Sequence, residues 1–267
     1  MKHKYLTVLV LGFAALLYGP SKAMAQLSSF AVLGGSTVTN TATPTVVTGD
    51  LGVSPGSAVT GFPPGIVIGG TIHAADAVAA QAQSDLTNVY INLASEACNT
   101  DLSGQDLGGL TLTPGVYCFT TSAQLTGTLT LDAQGNSNAR FVFKIGSTLT
   151  TASGSSVLLI NSASSCAVFW QVGSSATLGT GTTLAGNIVA LSSVTLNTGA
   201  SVNGRALARN GAVTLDNSNV TVCGGGPGLP LQPPPIATVP TLSGWGMIVL
   251  TGLLILSGLA AMRRRTA

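Results

Sequence analysis

Along this chain, apolar and polar residues alternate in short runs separated by Gly, Ser, Thr and Asn, and the pattern returns. Residues 192–209 read SSVTLNTGASVNGRALAR, and the eighteen residues before them, SSATLGTGTTLAGNIVAL, are nearly the same. Five segments align this way: ARFVFKIGSTLTTASGSS, AVFWQVGSSATLGTGTTLAG, NIVALSSVTLNTGASVNG, RALARNGAVTLDNSNVTV and the earlier DLGVSPGSAVTGF, with AQLTGTLTLDAQGN as a partial match. A short period carrying three strand-like pieces predicts a β-solenoid, because one coil cannot bury its inner side without neighbours.

Strand alternation assigns the sides of each coil. In SVTLNT, Val194 and Leu196 point inward, and Thr195 and Asn197 outward. The same reading pairs inward Leu178, Val213, Leu215 and Leu149 with outward Thr177, Thr214 and Thr148. It also sets Thr130 between Leu129 and Leu131, places Thr60 after Val59, and puts Thr37 and Thr39 around Val38. One outward column is expected to hold Thr37, Thr60, Thr130, Thr148, Thr177, Thr195 and Thr214. Its neighbour is expected to hold Thr39, Asp132, Thr150, Gly179, Asn197 and Asp216.

The first strand of each coil differs. FVFKI, VFWQV and IVAL are apolar at nearly every position, so both of their sides must be covered. Residues 72–97 supply the cover: Ala75, Val78, Ala82, Leu86, Val89, Leu93 and Ala97 recur at helical spacing, with Asp76, Gln83, Asp85, Asn88, Asn92 and Glu96 elsewhere. The expectation is one long α-helix lying along the solenoid.

Both ends of the chain read as targeting segments. MKHKYLTVLVLGFAALLYGPSKAMAQ has a basic start, an apolar core over residues 5–18 and an A-x-A site before Gln26, which is a signal peptide over residues 1–25. After a Gly/Pro-rich linker at 224–239, Pro240-Thr241-Leu242-Ser243-Gly244-Trp245-Gly246 leads into an apolar run, 245–262, and then Arg263, Arg264 and Arg265. This end resembles a bacterial C-terminal sorting signal of the PTL type. The basic stop predicts an exported body, first anchored in the inner membrane and destined for the cell surface or medium.

Removing both ends changes the charge reading. The whole chain is +2, but the body keeps only Arg140, Lys144, Arg205 and Arg209 against eight acids, which leaves −4. It forms no basic patch, so nucleic acid is not an expected partner. Four cysteines in an exported body predict two disulfides; of three possible pairings, Cys98–Cys118 and Cys166–Cys223 are favoured, tying a helix end to the next strand and the last coil to the stack. His73 is the only histidine of the body and no C-x-x-C spacing occurs, so neither metal nor cofactor is expected. The acids do not form a catalytic pair: Asp76, Asp85 and Glu96 belong to the helix, Asp101 and Asp106 follow it, and Asp50, Asp132 and Asp216 are scattered among coils. Asp50, Arg140, Asn187 and Arg205 precede apolar strands and are expected to pair at a corner. The chain is not expected to be an enzyme.

What remains is the Thr column. Stacked coils lie about 4.8 Å apart and alternate residues of a strand about 6.7 Å apart, giving a rigid grid of hydroxyls and methyls. Thr is stiff at χ1, and its hydroxyl holds water while its methyl constrains the arrangement. An uncharged flat grid that orders water at near-lattice spacing suits ice.

The wording of the body carries a resemblance as well. STVTNTATPTVVTGDLGVSPGSAVTGFPPG, the Ala-rich helix, DLGGLTLTPGVYCF, FVFKIGSTL, VFWQVGSSATLGTGTTLAGNI and GRALARNGAVTLD together resemble the microbial ice-binding (antifreeze) family over about residues 27–223. The resemblance implies a right-handed, three-faced, discontinuous β-solenoid whose first coils rejoin the stack beyond the helix. It also implies that ice binds a flat face without the helix, and that a loose T-A/G-x-T/N motif marks strong binders. Thr180-Gly181-Thr182-Thr183 fits the motif, Thr198-Gly199-Ala200-Ser201 comes close, and Thr151-Ala152-Ser153-Gly154 fails at its last position. The expected ice contacts are therefore Thr37, Thr39, Thr60, Thr130, Thr148, Thr150, Thr177, Thr195, Asn197 and Thr214, with Thr180, Thr182, Thr183 and Thr198 as secondary candidates on a monomer. The alternative is a surface-displayed structural or adhesive solenoid that binds glycan or protein.

Overall fold

The structure, a computed structural model, describes residues 27–41 and 44–223. The expected signal peptide, linker and sorting signal with its apolar helix lie outside these residues. Within them, parallel strands form two ladders of 15 and 7 strands. Each coil contributes one strand to each of three faces, here named a, b and c in the order the chain visits them.

Face a runs through Ile72–Ala74, Asp50–Val53, Phe30–Gly34, the second halves of Ser201–Ala208 and Thr183–Ala190, Val168–Val172, Phe141–Ile145, Gly115–Phe119 and Thr100–Asp101. The stack is discontinuous as the resemblance implies. Leu33 pairs with Leu207, Val38 with Val213 and Val46 with Asn219, so the first coils sit on the last one. The chain must then return to the opposite end, and the helix Ala77–Ser95 makes that journey. Eight ladder steps along face a amount to about 38 Å. A 19-residue helix spans about 28 Å, and short links at each end supply the rest.

The helix is shorter than the expected 72–97. Residues 72–74 form a strand on the outermost coil, and Ala75 turns the chain with a φ of 53°. Asp76 then caps the helix, accepting from the Ala79 amide at 2.8 Å. Ala75 and Ala97 consequently fall outside it, while Ala79, Ala82, Leu86, Val89 and Leu93 form the buried stripe. Asp85 is also buried, although its position reads as polar in the sequence. At the other end Lys144 Nζ donates to the Glu96 carbonyl and Arg140 Nη2 donates to Glu96 Oε1 at 2.7 Å, fastening the helix terminus to the stack.

Two apolar layers result. The inner one fills the solenoid with one aliphatic residue above another, and Tyr117, Phe143 and Trp170 stack inside it at 5.5 and 4.0 Å between ring centroids. The second lies between face a and the helix, where Phe30, Leu33, Val142, Phe169, Val189 and Leu207 meet Ala82, Leu86, Val89 and Leu93. This accounts for the uninterrupted apolar wording of the face a strands. Both favoured disulfides are formed, with Cα separations of 5.9 Å for Cys98–Cys118 and 5.4 Å for Cys166–Cys223.

Candidate functional site

Face b is the seven-stranded sheet: Ala123–Leu125, Leu149–Thr151, Ala176–Leu178, Val194–Leu196, Val213–Leu215, Thr37–Asn40 and Ala58–Thr60, in that order. Its inward residues, such as Leu149, Leu178, Val194, Leu196, Val213 and Val38, are fully buried. The pairing places Gln124, Thr150, Thr177, Thr195, Thr214, Thr39 and Thr60 side by side in one outward row. Neighbouring hydroxyls approach each other: Thr60 Oγ1 donates to Thr39 Oγ1 at 3.2 Å. A second row holds Ser122, Thr148, Ser175, Ser193, Ala212, Thr37 and Ala58. Ser122 and Thr148 share a hydroxyl contact of 2.8 Å. Within the seven strands neither row contains a charged side chain, although an isolated bridge sets Asp106 beside Gln124 at the end of the central row, where its Oδ1 accepts from the Thr126 amide at 2.9 Å; six ladder steps make the face about 29 Å long.

The expected column is thus partly rearranged. Thr60, Thr177, Thr195 and Thr214 share the central row as anticipated, but Thr39 and Thr150 join them in place of Thr37 and Thr148, which belong to the second row. Thr130 is not on this face. It pairs with Thr111 and Leu158 on face c, and Asp132 beside it pairs with Ile160. Asp132 and Asp216 therefore do not share a column. Asn197 and Asp216 lie just past the ends of their face b strands, at the margin where the chain turns toward face c.

The secondary candidates sort by burial. Thr182 is fully buried, sharing a 2.7 Å hydroxyl contact with Thr151, whose own Oγ1 accepts from the Gly179 amide at 2.9 Å. It cannot touch a ligand; its part is to hold the corner between faces b and c. Gly181 makes that corner with a φ of 67°, which a residue with a Cβ rarely adopts. Thr180 and Thr198 are exposed at this corner, the latter donating to Asp216 Oδ2, and Thr183 faces outward on face c.

Residues missed by alternation are Gln124, Ser122, Ser175 and Ser193. For Ser175 the signal is the Gly-Ser corner dipeptide, whereas Ser122, Gln124 and Ser193 follow Thr120-Thr121 and Leu191-Ser192 corners and are placed by the strand pairing. Thr150 and Thr177 each follow by four positions the glycine of Gly146-Ser147 and Gly173-Ser174, and those glycines align through the Gly173 amide bonding the Ile145 carbonyl. Counting from the corner, instead of matching Leu to Leu, gives the observed rows.

Face c carries hydroxyls too, among them Thr128, Ser156, Thr183 and Ser201, with a Thr128–Ser156 contact of 2.9 Å. It also exposes Leu158, Ile66 and Ile68 by 51%, 47% and 49%. Where faces c and a meet, Arg205 Nη1 donates to Asn187 Oδ1 at 2.7 Å, as expected for a corner pair. Arg140 instead joins Glu96, and Asp50 accepts from the Thr71 amide at 2.8 Å. Among the described residues no group of three or more His, Cys, Asp and Glu could hold a metal ion.

Fold and site together define a discontinuous parallel β-solenoid with a flat, neutral, hydroxyl-bearing face left bare by its helix. The chain belongs to the ice-binding-like family, whose model matches residues 32–221, and an IPTL-CTERM motif matches residues 237–265. A protein named "Ice-binding protein" from Nostoc sp. (strain HG1) is 63% identical over 195 residues, covering 73% of this chain and 71% of its own. The crystal structure of an ice binding protein from an Antarctic biological consortium is similar at 47% identity and a TM-score of 0.72, over 75% of this chain and 90% of that one. That of the ice-binding protein from the Antarctic ascomycete Antarctomyces psychrotrophicus shows 41% identity and a TM-score of 0.71, over 74% and 97%.

Proposed function

We propose that the protein is a non-enzymatic ice binder that adsorbs to ice through face b, slowing crystal growth or recrystallisation. The central row is the observation that carries the reading. Thr150, Thr177, Thr195, Thr214, Thr39 and Thr60 repeat one stiff side chain at one ladder spacing on a sheet with no charged residue in its rows. Each methyl and hydroxyl contributes little alone, and the rigid repeat lets many contacts form with small loss of side-chain freedom. The second row, with Thr37 and Thr148 among its serines, widens the same surface. Asn197, Thr180 and Thr198 border it.

The C-terminal motif suggests export and a cell-surface or extracellular location. On our reading the 245–262 segment first anchors the chain in the inner membrane, and the body works as a monomer. Ice-affinity partitioning tests the function. The exported body enters a slowly grown ice front, whereas exclusion like that of an ordinary protein would overturn the ice reading and favour a glycan or protein ligand.

A further inference from the structure

Of the four cations of the body, Arg205 is buried and Arg140 is paired with Glu96. The other two, Lys144 and Arg209, have no carboxylate partner among the described residues, although the body is acidic overall. Both stand beside the helix Ala77–Ser95. Lys144 Nζ donates to the Glu96 carbonyl just past its end, and Arg209 reaches Thr87 Oγ1 at 3.4 Å. The Arg209 guanidinium lies 4.7 Å from the centroid of the Tyr90 ring.

Between Tyr90 and the edge where face a turns into face b is a cavity of about 480 Å³, within the roughly 300–1,000 Å³ range of small-ligand sites. Lys144, Gln171 and Thr120 line it together with Tyr90, and no acid among the described residues does. Gly146 and Gly173 form its corner side. A Cβ on Gly146 would strike the Thr120 carbonyl and one on Gly173 the Gly146 carbonyl, so this side carries no side chains.

Gln171 is the informative residue. In the outward row of face a it pairs with Lys144 on one side and Val189 on the other. Val189 and Leu207 beyond it lie in the apolar layer under the helix, where an aliphatic residue suffices. Gln171 is only 6% exposed, yet its carboxamide has no hydrogen-bond partner among the described residues. Buried amides are nearly always bonded, so a donor and acceptor kept unbonded in a cavity wall call for a partner from outside the chain. The neighbouring ammonium, one ladder step away, gives that partner its sign: it is an anion.

A bare inorganic anion would use Lys144 and leave the rest of the cavity unfilled. A sugar acid uses all of it. Its carboxylate meets the Lys144 ammonium, a ring hydroxyl both donates to and accepts from the Gln171 carboxamide, and its C–H face lies on the Tyr90 ring. We propose that this groove binds a uronate residue of an acidic polysaccharide. The site borders face b at the a/b edge without occupying either of its outward rows, and the inference does not depend on the ice reading.

The test is calorimetric titration of the full chain, in a non-ionic detergent, with trigalacturonate, the neutral galactotriose and inorganic phosphate. Trigalacturonate is expected to bind, at least about tenfold more tightly than either of the others, and more weakly as salt is raised. Lys144→Gln should weaken it about tenfold, whereas Lys144→Arg, which keeps the charge, should stay within about threefold of wild type. Gln171→Met keeps the length of the side chain and removes its polar atoms. It should weaken trigalacturonate about fivefold while the melting temperature holds or rises, because no internal bond is lost; a fall in melting temperature with unchanged affinity would make Gln171 a structural residue and overturn its role. Galactotriose binding as tightly as trigalacturonate would overturn the acidic ligand, and phosphate binding as tightly would overturn the sugar. Absence of trigalacturonate binding, or binding indifferent to Lys144→Gln, would overturn the site.

Discussion

Faces b and c are made by the same coils, with the same alternation of inward aliphatic and outward small polar residues, yet they are different surfaces. On face b, six of the seven central rungs are Thr. On face c the corresponding rows pass from Thr128, Ser156, Thr183 and Ser201 to Asn219, Val46 and Ile66, and from Thr130 to Leu158, Ala185 and Asn203. The turn before Val168 reaches across as well, with Ser165 Oγ donating to Asn203 Oδ1 at 3.2 Å. Hydroxyl content does not separate the two faces; uniform height does. A protruding Leu158 keeps its neighbours from a flat solid, whereas an unbroken row of Thr allows every rung to touch at once.

The comparison predicts its own largest effect. Thr177→Lys/Thr195→Lys places two long, strongly hydrated cations in the middle of face b. Docking then strips water from charges that ice cannot compensate, which costs well over about 1.4 kcal/mol, or tenfold in the partitioned fraction. The melting temperature should hardly move, because both side chains point outward. Unchanged partitioning would mean that ice is bound elsewhere on the molecule.

A change on the helix-covered face separates stability from function. Burial raises the Asp85 carboxyl above its ordinary value, with the Gln81 amide bond at 2.9 Å opposing the shift. Its folded pKa therefore exceeds its unfolded one. The stability linked to this group is fully present below the unfolded value of 3.8 and is lost as pH rises through the raised folded value. Asp85→Asn keeps an acceptor for Gln81 and removes the buried charge. It is expected to stabilise the body at pH 7 by about 1 kcal/mol, and to flatten the fall in stability above acidic pH, in urea titrations. Ice partitioning should not change, since stability and the Thr face are independent properties.

Much of this was legible in the sequence because the repeat is local. The Thr177–Thr195–Thr214 row, the helix stripe from Val78 to Leu93 and the doubly covered strands of face a all follow from the period of apolar positions. Thr130 was not legible, for a physical reason. Faces b and c share the alternation of Leu129-Thr130-Leu131, so only pairing with a distant coil tells them apart. Thr148 and Thr150 lie on the same side of one strand, and choosing between them needs the ladder register, which the Gly-Ser corner supplies and a Leu-to-Leu match does not. Burial of Asp85 and Thr182 depends on which element lies above each, information that no local pattern contains.

A smaller effect sharpens the argument about uniformity. Gln124 is the one central rung that is not Thr, and its amide reaches Thr126 Oγ1 at 3.1 Å along the surface. Gln124→Thr shortens the side chain to the height of its neighbours and completes the row. One added rung among seven should raise ice partitioning by less than about twofold, because single contacts are each worth a small fraction of the whole. A fall in partitioning would show that the edge strand of face b contributes through its amide, and that matched height is not the determining property there.

The most discriminating result is the absence of an effect. Thr183→Lys/Ser201→Lys puts the same two charges on adjacent rungs of face c, where the native hydroxyls lie 3.4 Å apart. Both positions point outward, so stability should stay within about 0.5 kcal/mol of wild type. If face b alone engages ice, this variant partitions like wild type although it carries the same added charge as the Thr177→Lys/Thr195→Lys protein. Net charge, solubility and general repulsion are thereby held constant, and only the face differs. Equal loss in both variants would sink the distinction between the two faces, leaving either a site that wraps the b/c corner or a charge effect unrelated to any one surface. Single lysines at Thr183, at Thr180 and at Thr177, which leave the corner residues Gly181 and Thr182 untouched, would then separate those two outcomes, since a wrapped site loses binding stepwise toward the corner and a charge effect does not depend on position.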